Sequence, residues 1–164
     1  MSSIERQNAG PKPRPETRTQ PMFHRVLQAD PQDVRQALTD LRARFAPSVN
    51  ADAMGRLELV LAEVMNNVAE HAAAPGAGSG SMHLCVIMQE GGLSCAITDD
   101  GGKLPADCLK PRSLPALDPL DLPEGGFGWF LIQGLTQSLC YYREDHRNCL
   151  AFTVPYQLSG PISG

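Results

Sequence analysis

The spacing of apolar and polar residues predicts a mixture of helices and strands, beginning with one strand and one helix. A short extended run from Met22 to Gln28 precedes the pair Asp30 and Pro31. Aspartate as an N-cap and proline at the first helical position are a strong helix start signal. We therefore expect a helix from here to about Phe45, ending before Pro47.

The second predicted helix, from about 50 to 73, has two distinct faces. Leu57, Leu61, Val64, Val68 and Ala72 recur at helical spacing and form an apolar face that requires a core. Because a helix advances about 100° per residue, Glu63, Asn67 and His71 lie one above the next on a second stripe, flanked by Asn66. Taken alone, an exposed polar face explains this stripe, and a histidine at such a place is more often structural than ligand-binding.

The rest of the pattern predicts two hairpins separated by a helix. The four strands are expected at 83–89, 93–98, 139–144 and 149–155, with a turn at Glu90-Gly91-Gly92 in the first hairpin. The helix is expected from about Phe127 to Ser138. This order of elements predicts an α+β fold, with a mostly antiparallel sheet and helices on one face.

The length and composition of the chain limit the number of domains and the classes of partner that we expect. The chain has 164 residues, 42% of them hydrophobic and 20% charged, which predicts one ordinary folded domain. We expect a flexible proline-rich tail at 1–21, the domain at 22–157 and a disordered C-terminus at 158–164. The net charge of -4 makes nucleic acid an unexpected partner.

The cysteines and the hydropathy favour a cytoplasmic protein without a membrane partner. No stretch approaches the length of a membrane span or resembles a secretory signal. The five cysteines form an odd set without a CxxC pair, so neither a disulfide framework nor a zinc site is predicted. We expect them to be small, buried or half-buried apolar residues.

Two further clusters along the chain suggest nucleotide chemistry. Asp99 and Asp100 precede two glycines at a predicted strand end, where an aspartate can accept a hydrogen bond from an adenine amino group. A tight turn is the other explanation.

Gly125, Gly126 and Gly128 lead into the third helix, whose free N–H groups and dipole suit a phosphate. A flexible loop end would look the same. Between the clusters lies a long proline-rich loop, 101–125, and loops of this length are usually functional or disordered.

Together and in this order, the three clusters resemble the N, G1 and G2 boxes of the GHKL ATPases, the superfamily that includes gyrase and the histidine kinases. The boxes correspond to 59–71, 97–102 and 125–135, and the resemblance covers roughly residues 22–156. The chain most resembles bacterial anti-sigma-factor serine kinases. The resemblance implies a two-layer α/β sandwich of the Bergerat type, with ATP and Mg²⁺ as ligands and the long loop as an ATP lid.

The resemblance also implies roles for particular residues. Glu63 would be the catalytic residue that polarises the attacking serine hydroxyl, and Asn67 would coordinate Mg²⁺. Asp99 would bind the adenine. The other residues implied to contact the nucleotide are Asn66, Gly101, Gly125, Gly126, Phe127 and Gly128. Lys103 stands where the family has a glycine, and we expect its side chain to reach a phosphate group.

In function, the resemblance implies a serine/threonine protein kinase that phosphorylates an anti-sigma-factor antagonist of the STAS type and regulates a sigma factor by sequestration, as a homodimer. The alternative is a catalytically weak, ATP-dependent protein-binding switch. Two departures motivate it: Lys103 replaces a glycine of the G1 box, and Glu124 precedes the G2 glycines where many relatives carry a basic residue. A third departure concerns the back of the adenine pocket, where no threonine matches the family's position near Asn148 and Cys149. A fragment of a sensor histidine kinase ranks last, since no separate helix with a phospho-acceptor histidine is predicted.

Overall fold

The computed structural model describes residues 21–72, 78–104 and 127–158. Within these ranges the chain forms five strands and three helices. In chain order they are β1 (Met22–Gln28), α1 (Pro31–Phe45), α2 (Ala51–Ala72), β2 (Ser81–Met88), β3 (Gly92–Asp99), α3 (Phe127–Leu135), β4 (Gln137–Glu144) and β5 (Arg147–Pro155). The element types and their order match those predicted from the sequence.

The described strands form one sheet in the order β1-β2-β3-β5-β4, and every neighbouring pair is antiparallel. Side chains alternate between the two faces, so that Met82, Leu84 and Val86 of β2 are buried in the core. Ser81 and His83, on either side of Met82, are partly exposed on the opposite face. The fold is therefore α+β, a two-layer sandwich, which confirms the predicted class.

The helices are held at their starts by side-chain caps and along their lengths by the core. Asp30 accepts hydrogen bonds from the N–H groups of Gln32 and Asp33, at 2.8 and 3.1 Å, as the predicted N-cap of α1. Asn50 accepts a 2.8 Å bond from the N–H of Ala53 at the start of α2. The predicted apolar face of α2 lies in the core, with Leu57, Leu61 and Val64 buried and Val68 and Ala72 partly buried.

The third helix is shorter than predicted. It ends at Leu135, not at Ser138, because β4 already begins at Gln137. The hydroxyl of Thr136 donates to the carbonyl of Ile132 at 2.6 Å, which satisfies one of the carbonyls left free at the helix end. Ser138 has a φ of 55° and lies at a register shift in β4, a local conformation that apolar periodicity does not reveal.

The second hairpin turns more tightly than predicted. Asp145 and His146 both have positive φ, 49° and 63°, as in a type I′ turn, so the strands extend to Glu144 and begin again at Arg147. Neither residue is the glycine usually found in such a turn.

Several predictions fall outside the described residues. The tail before residue 21, the loop of residues 105–126 and the segment after residue 158 belong to this group, so the predicted domain boundaries stay predictions. Cys85, Cys95, Cys140 and Cys149 are free thiols. Cys95 and Cys149 are buried and Cys85 is partly buried, as predicted, whereas Cys140 is exposed because it lies on the outer face of the edge strand β4. Cys108 lies outside the described residues. Among the helices that the structure describes, none combines the length and apolar character needed to cross a membrane.

Candidate functional site

A cleft on the helical side of the sheet collects side chains from all three predicted clusters or their neighbours. It encloses about 440 Å³ of empty space, part of it open to solvent. Its lining residues are Val64, Asn67, Val68, His71, Ile97, Asp99, Gly102, Leu104, Trp129, Tyr141, Asn148 and Leu150. Apolar walls with a few convergent polar groups are typical of a small-molecule site.

Asp99 forms the polar floor of this cleft. The buried column of β3 and β5 pairs Leu93 with Val154 and Ile97 with Leu150, and two residues further on the same face it pairs Asp99 with Asn148. Asp99 is therefore 9% exposed, at the end of an otherwise apolar face. Its Oδ1 accepts a 2.9 Å hydrogen bond from the N–H of Gly101 and a 3.1 Å bond from Asn148 Nδ2.

Asp100 points away from the cleft, because adjacent residues at a strand end face opposite sides. Its Oδ2 accepts hydrogen bonds from the Ser79 hydroxyl at 2.6 Å and the Ser79 N–H at 2.8 Å. These bonds, the hydroxyl first, lower the pKa of Asp100 below its usual range. The acidic pair thus has one member in the cleft and one that ties β3 to the segment before β2.

Asn148 is the hub of the polar network behind Asp99. Besides the bond to Asp99, its Nδ2 donates to the carbonyl of Gly102 at 2.9 Å and lies 3.3 Å from that of Gly101. Its Oδ1 accepts from the Tyr141 hydroxyl at 2.7 Å and from Arg143 at 2.8 Å. Arg143 also donates to the carbonyl of Gly101 at 2.9 Å. Three strands thereby hold the backbone that follows β3.

Tyr141 links this network to the start of the long loop. Its hydroxyl donates to Asn148 and accepts a 3.1 Å bond from the N–H of Leu104. Leu104 is the last described residue at the start of the predicted lid, 101–125. The base of the lid is therefore attached to the floor of the cleft through one phenol group.

The polar stripe of α2 runs along one side of the cleft. Asn67 and His71 line it, and His71 is exposed, whereas Glu63 is partly buried one turn earlier on the helix. Asn67 Nδ2 is buried and has no hydrogen-bond partner among the described residues. A buried amide without a partner is rare in native proteins and indicates a group that the described chain does not supply.

Gly128 brings the start of α3 against this stripe. A methyl group added there would lie 2.6 Å from Glu63 Oε2 and 3.7 Å from Asn67 Nδ2. Glycine at this position therefore leaves room for the Glu63 carboxylate, which a side chain would displace. The first turn of α3 and the Glu63–Asn67 stripe therefore form one cluster, as the order of motifs predicted.

The structure does not bring every predicted residue to the cleft. Asn66 and Lys103 are exposed and do not belong to its lining. Gly101 contributes its carbonyl and N–H to the network behind Asp99 rather than a cleft surface. Gly125, Gly126 and the side chain of Phe127 lie outside the described residues, so their predicted phosphate contacts stay predictions.

A family model described as the histidine kinase-like ATPase domain matches residues 27–154, most of the chain. The chain belongs to this family. It is accordingly an ATP-binding domain of the GHKL type, in agreement with the broader part of the prediction from sequence. No curated protein matches the chain.

The cleft of this GHKL domain suits a nucleotide that brings its own metal ion better than a metal ion held by protein side chains alone. Among the described residues, no group of three or more histidine, cysteine, aspartate or glutamate side chains could hold a metal ion. Mg²⁺ usually takes only one or two protein ligands and completes its shell with phosphates and water. Asn67 Nδ2, which lies near Gly128, is a buried donor without a partner among the described residues and suits an acceptor such as a phosphate oxygen. The oxygen of the same amide is a type of ligand that Mg²⁺ takes.

The network around Asn148 was missed in the sequence. In the sequence, Asn148 marks only the place where a family threonine is absent, and Tyr141 and Arg143 are predicted strand residues without a role. Their importance follows from the pairing of β3 with β5 and of β5 with β4, which are distant in the sequence. The local signal is weak, because Arg143 and Asn148 belong to a run of polar residues, 143–148, that the sequence explains as the turn between two strands.

Proposed function

We propose that this ATP-binding domain is a serine/threonine protein kinase of the anti-sigma-factor type. Its substrate would be a serine of an anti-sigma-factor antagonist of the STAS type, and its regulated partner a sigma factor. The family membership supports the use of ATP. The further steps rest on the resemblance of the N box and on the placement of Glu63.

The observation that carries the proposal is the approach of Gly128 to Glu63 and Asn67. A methyl group at Gly128 would lie 2.6 Å from Glu63 Oε2, so a carboxylate lies directly beside the start of the helix that follows the G2 glycines. Helix starts of this kind attract phosphate. A carboxylate next to the phosphate site is well positioned to act on an incoming hydroxyl.

The proposed reaction is one in-line phosphoryl transfer. The serine oxygen of the substrate forms a bond to the γ-phosphorus of ATP while the bond from that phosphorus to the bridging oxygen breaks, releasing ADP. Glu63 accepts the proton of the serine hydroxyl. Positioning and charge neutralisation supply most of the catalysis in such reactions, so one carboxylate suffices as the acid-base group.

Asn67 would hold Mg²⁺ through its amide oxygen. When bound, the ion would neutralise charge on the phosphates, as metals do in phosphoryl transfer. Asp99 would accept a hydrogen bond from the amino group of adenine. Val64, Val68 and Trp129 would contribute apolar contacts to the nucleotide from the cleft walls.

The test is transfer of labelled phosphate from ATP to a candidate antagonist by Glu63→Gln and by Glu70→Gln. Glu70 is exposed on the same helix and serves as the matched control. We expect Glu63→Gln to lower the transfer rate about 10²- to 10⁴-fold, the usual contribution of an acid-base group, and to leave ATP affinity nearly unchanged. Glu70→Gln should behave as the wild type. An unchanged rate in Glu63→Gln would remove Glu63 from the mechanism.

A second candidate function is an ATP-dependent binding switch without significant transfer. The exposed Lys103, which replaces a glycine of the G1 box at the base of the predicted lid, favours it. The same assay separates the two functions. Phosphoserine on a partner refutes the pure switch, whereas ATP-dependent partner binding without any phosphoserine refutes the kinase. By resemblance we also expect a homodimer, which sedimentation measurements would test.

A further inference from the structure

The carboxylate of Asp99 has unequal oxygens. Oδ1 accepts two hydrogen bonds, from the N–H of Gly101 at 2.9 Å and from Asn148 Nδ2 at 3.1 Å. Both of its lone-pair directions are thereby used. Only Oδ2 is left to accept a hydrogen bond from a ligand in the cleft.

The amide of Asn148 is fixed in orientation by its own partners. Two donors, Tyr141 and Arg143, meet its Oδ1 at 2.7 and 2.8 Å, and the carbonyl of Gly102 accepts from its Nδ2 at 2.9 Å. A flipped amide would place its oxygen against the Asp99 carboxylate and against that carbonyl. The flipped orientation is therefore excluded by repulsion, and Asn148 is a permanent donor towards Asp99.

We infer that Asn148 is a positioning residue that sets the preference of the cleft for a 6-aminopurine nucleotide over a 6-oxopurine nucleotide. The inference rests on nucleotide binding in this cleft and deepens the function proposed above. An exocyclic 6-amino group donates a hydrogen bond, whereas a 6-oxo group only accepts one. A carboxylate fixed as an acceptor can pair with the first and repels the second.

The discrimination depends on Asn148 because a free carboxylate can turn. Without the bond from Asn148 Nδ2, only the N–H of Gly101 fixes the orientation of the Asp99 carboxylate. The carboxylate is then less well oriented, and its hydrogen bond to the ligand becomes weaker. A site built to hydrogen-bond one exocyclic group rejects an analogue that lacks it, because buried polar atoms are then left unpaired. When the Asp99 carboxylate is free to turn, it is no longer held against the 6-oxo group of the analogue, so the analogue also loses its binding penalty.

The test compares the affinities of ATP and inosine triphosphate for the wild type, Asn148→Thr and Asn148→Val. Threonine and valine have nearly the same shape and both suit a strand, but only threonine keeps a donor for Asp99. We expect the wild type to bind ATP about tenfold or more tightly than inosine triphosphate, since hydrogen bonds to charged groups are among the stronger ones. Asn148→Thr should keep most of this ratio, and Asn148→Val should bring it close to one.

A merely structural role for Asn148 makes a different prediction. Loss of local order would weaken the binding of both nucleotides equally, so the ratio of the two affinities would be unchanged in Asn148→Val. An unchanged ratio, or equal losses of the ratio in the threonine and valine variants, would overturn the inference. Thr153→Val, on the same strand and facing the other side of the sheet, is the control for general effects on β5.

The outcomes separate this inference from the proposed function. A wild type without affinity for either nucleotide overturns both. A wild type that binds ATP without discriminating against inosine triphosphate overturns only the role of Asn148. If neither Asn148 variant folds, Arg143→Met replaces them, because it leaves Asn148 in place and removes one donor to Asn148 Oδ1, together with the bond from Arg143 to the carbonyl of Gly101. A lower ratio in Arg143→Met then supports the inference, and an unchanged ratio overturns it.

Discussion

Asp99 and Asn148 lie directly opposite each other on β3 and β5, and Asn148 Nδ2 donates to Asp99 Oδ1 over 3.1 Å in a buried position. Their pairing continues a column of apolar cross-strand pairs, so two polar side chains are placed at the inner end of the core. The bond joins a residue predicted to bind adenine to one that has no predicted role.

The phenol of Tyr141 should stabilise the base of the predicted lid. Tyr141→Phe removes the donor to Asn148 and the acceptor of the Leu104 N–H. We expect a loss of about 1 kcal/mol in the free energy of unfolding, the usual net value of a hydrogen bond. Amide hydrogen exchange at Leu104 should become faster. Tyr142→Phe, on the exposed face of the same strand, should change stability by less than about 0.5 kcal/mol. Equal effects in the two variants would contradict the link.

Replacement by alanine should have different effects at the two glycines of α3, on stability at Gly134 and on turnover at Gly128. Gly134 has no atom within 4 Å of an added methyl group, so Gly134→Ala should stabilise the protein by about 0.4 to 1 kcal/mol. Gly128→Ala would meet Glu63 Oε2 at 2.6 Å and displace that flexible side chain. We expect little change in melting temperature but slower nucleotide turnover in Gly128→Ala. Turnover equal to that of Gly134→Ala would show that the position of Glu63 does not matter.

Asn67 should account for the effect of Mg²⁺ on nucleotide affinity. Calorimetric titration with ATP and ADP, each with and without Mg²⁺, is the measurement. In the wild type Mg²⁺ should tighten ATP binding, and Asn67→Ala should lose most of this increment while keeping metal-free binding, because the adenine contacts remain. Asn66→Ala is the comparison, since the exposed Asn66 side chain does not line the cleft. Equal losses in both variants would contradict the assignment of the metal to Asn67 alone.

Ser79 should make part of the stability dependent on acid pH. Its hydroxyl and N–H hold the pKa of Asp100 below the usual range, so the ionised carboxylate stabilises the folded state above the unfolded pKa. This contribution is lost as the pH falls through the lower, folded pKa. In Ser79→Ala the carboxyl keeps only its backbone donors, those of residue 79, Asp100 and Gly80, and we expect its pKa to move up towards the ordinary value. Carbon NMR titration of Asp100 checks the shift.

The same titration has a matched control. Ser94 donates its hydroxyl to Gln89, an uncharged side chain, at 2.7 Å. Ser94→Ala should therefore leave the Asp100 titration unchanged. The stability difference between the wild type and Ser79→Ala should also shrink as the pH falls below the ordinary aspartate pKa, about 3.9. A difference that stays constant across that range would contradict the proposed linkage.

Local signals in the sequence were sufficient to predict the helices and strands and the approximate position of most of their ends. The Asp30-Pro31 start of α1, the apolar face of α2 and the alternation in β3 each involve residues within a few positions of one another. Such patterns are governed by backbone geometry and by the burial of one face, so they can be recognised without the fold. The end of α3 was wrong by three residues because a positive φ at Ser138 and a register shift allow β4 to begin early.

The polar clusters on α2, after β3 and before α3 were likewise recognisable, because motif order carried the resemblance to the GHKL ATPases. Their convergence depends on the tertiary structure. Asn148 reaches Asp99 only because β5 inserts between β3 and β4, a pairing between strands far apart in the chain. Local sequence determined which residues are polar and which faces are apolar. The strand order and register alone decided which polar groups meet, because hydrogen bonds between distant segments depend on distances that no local pattern specifies.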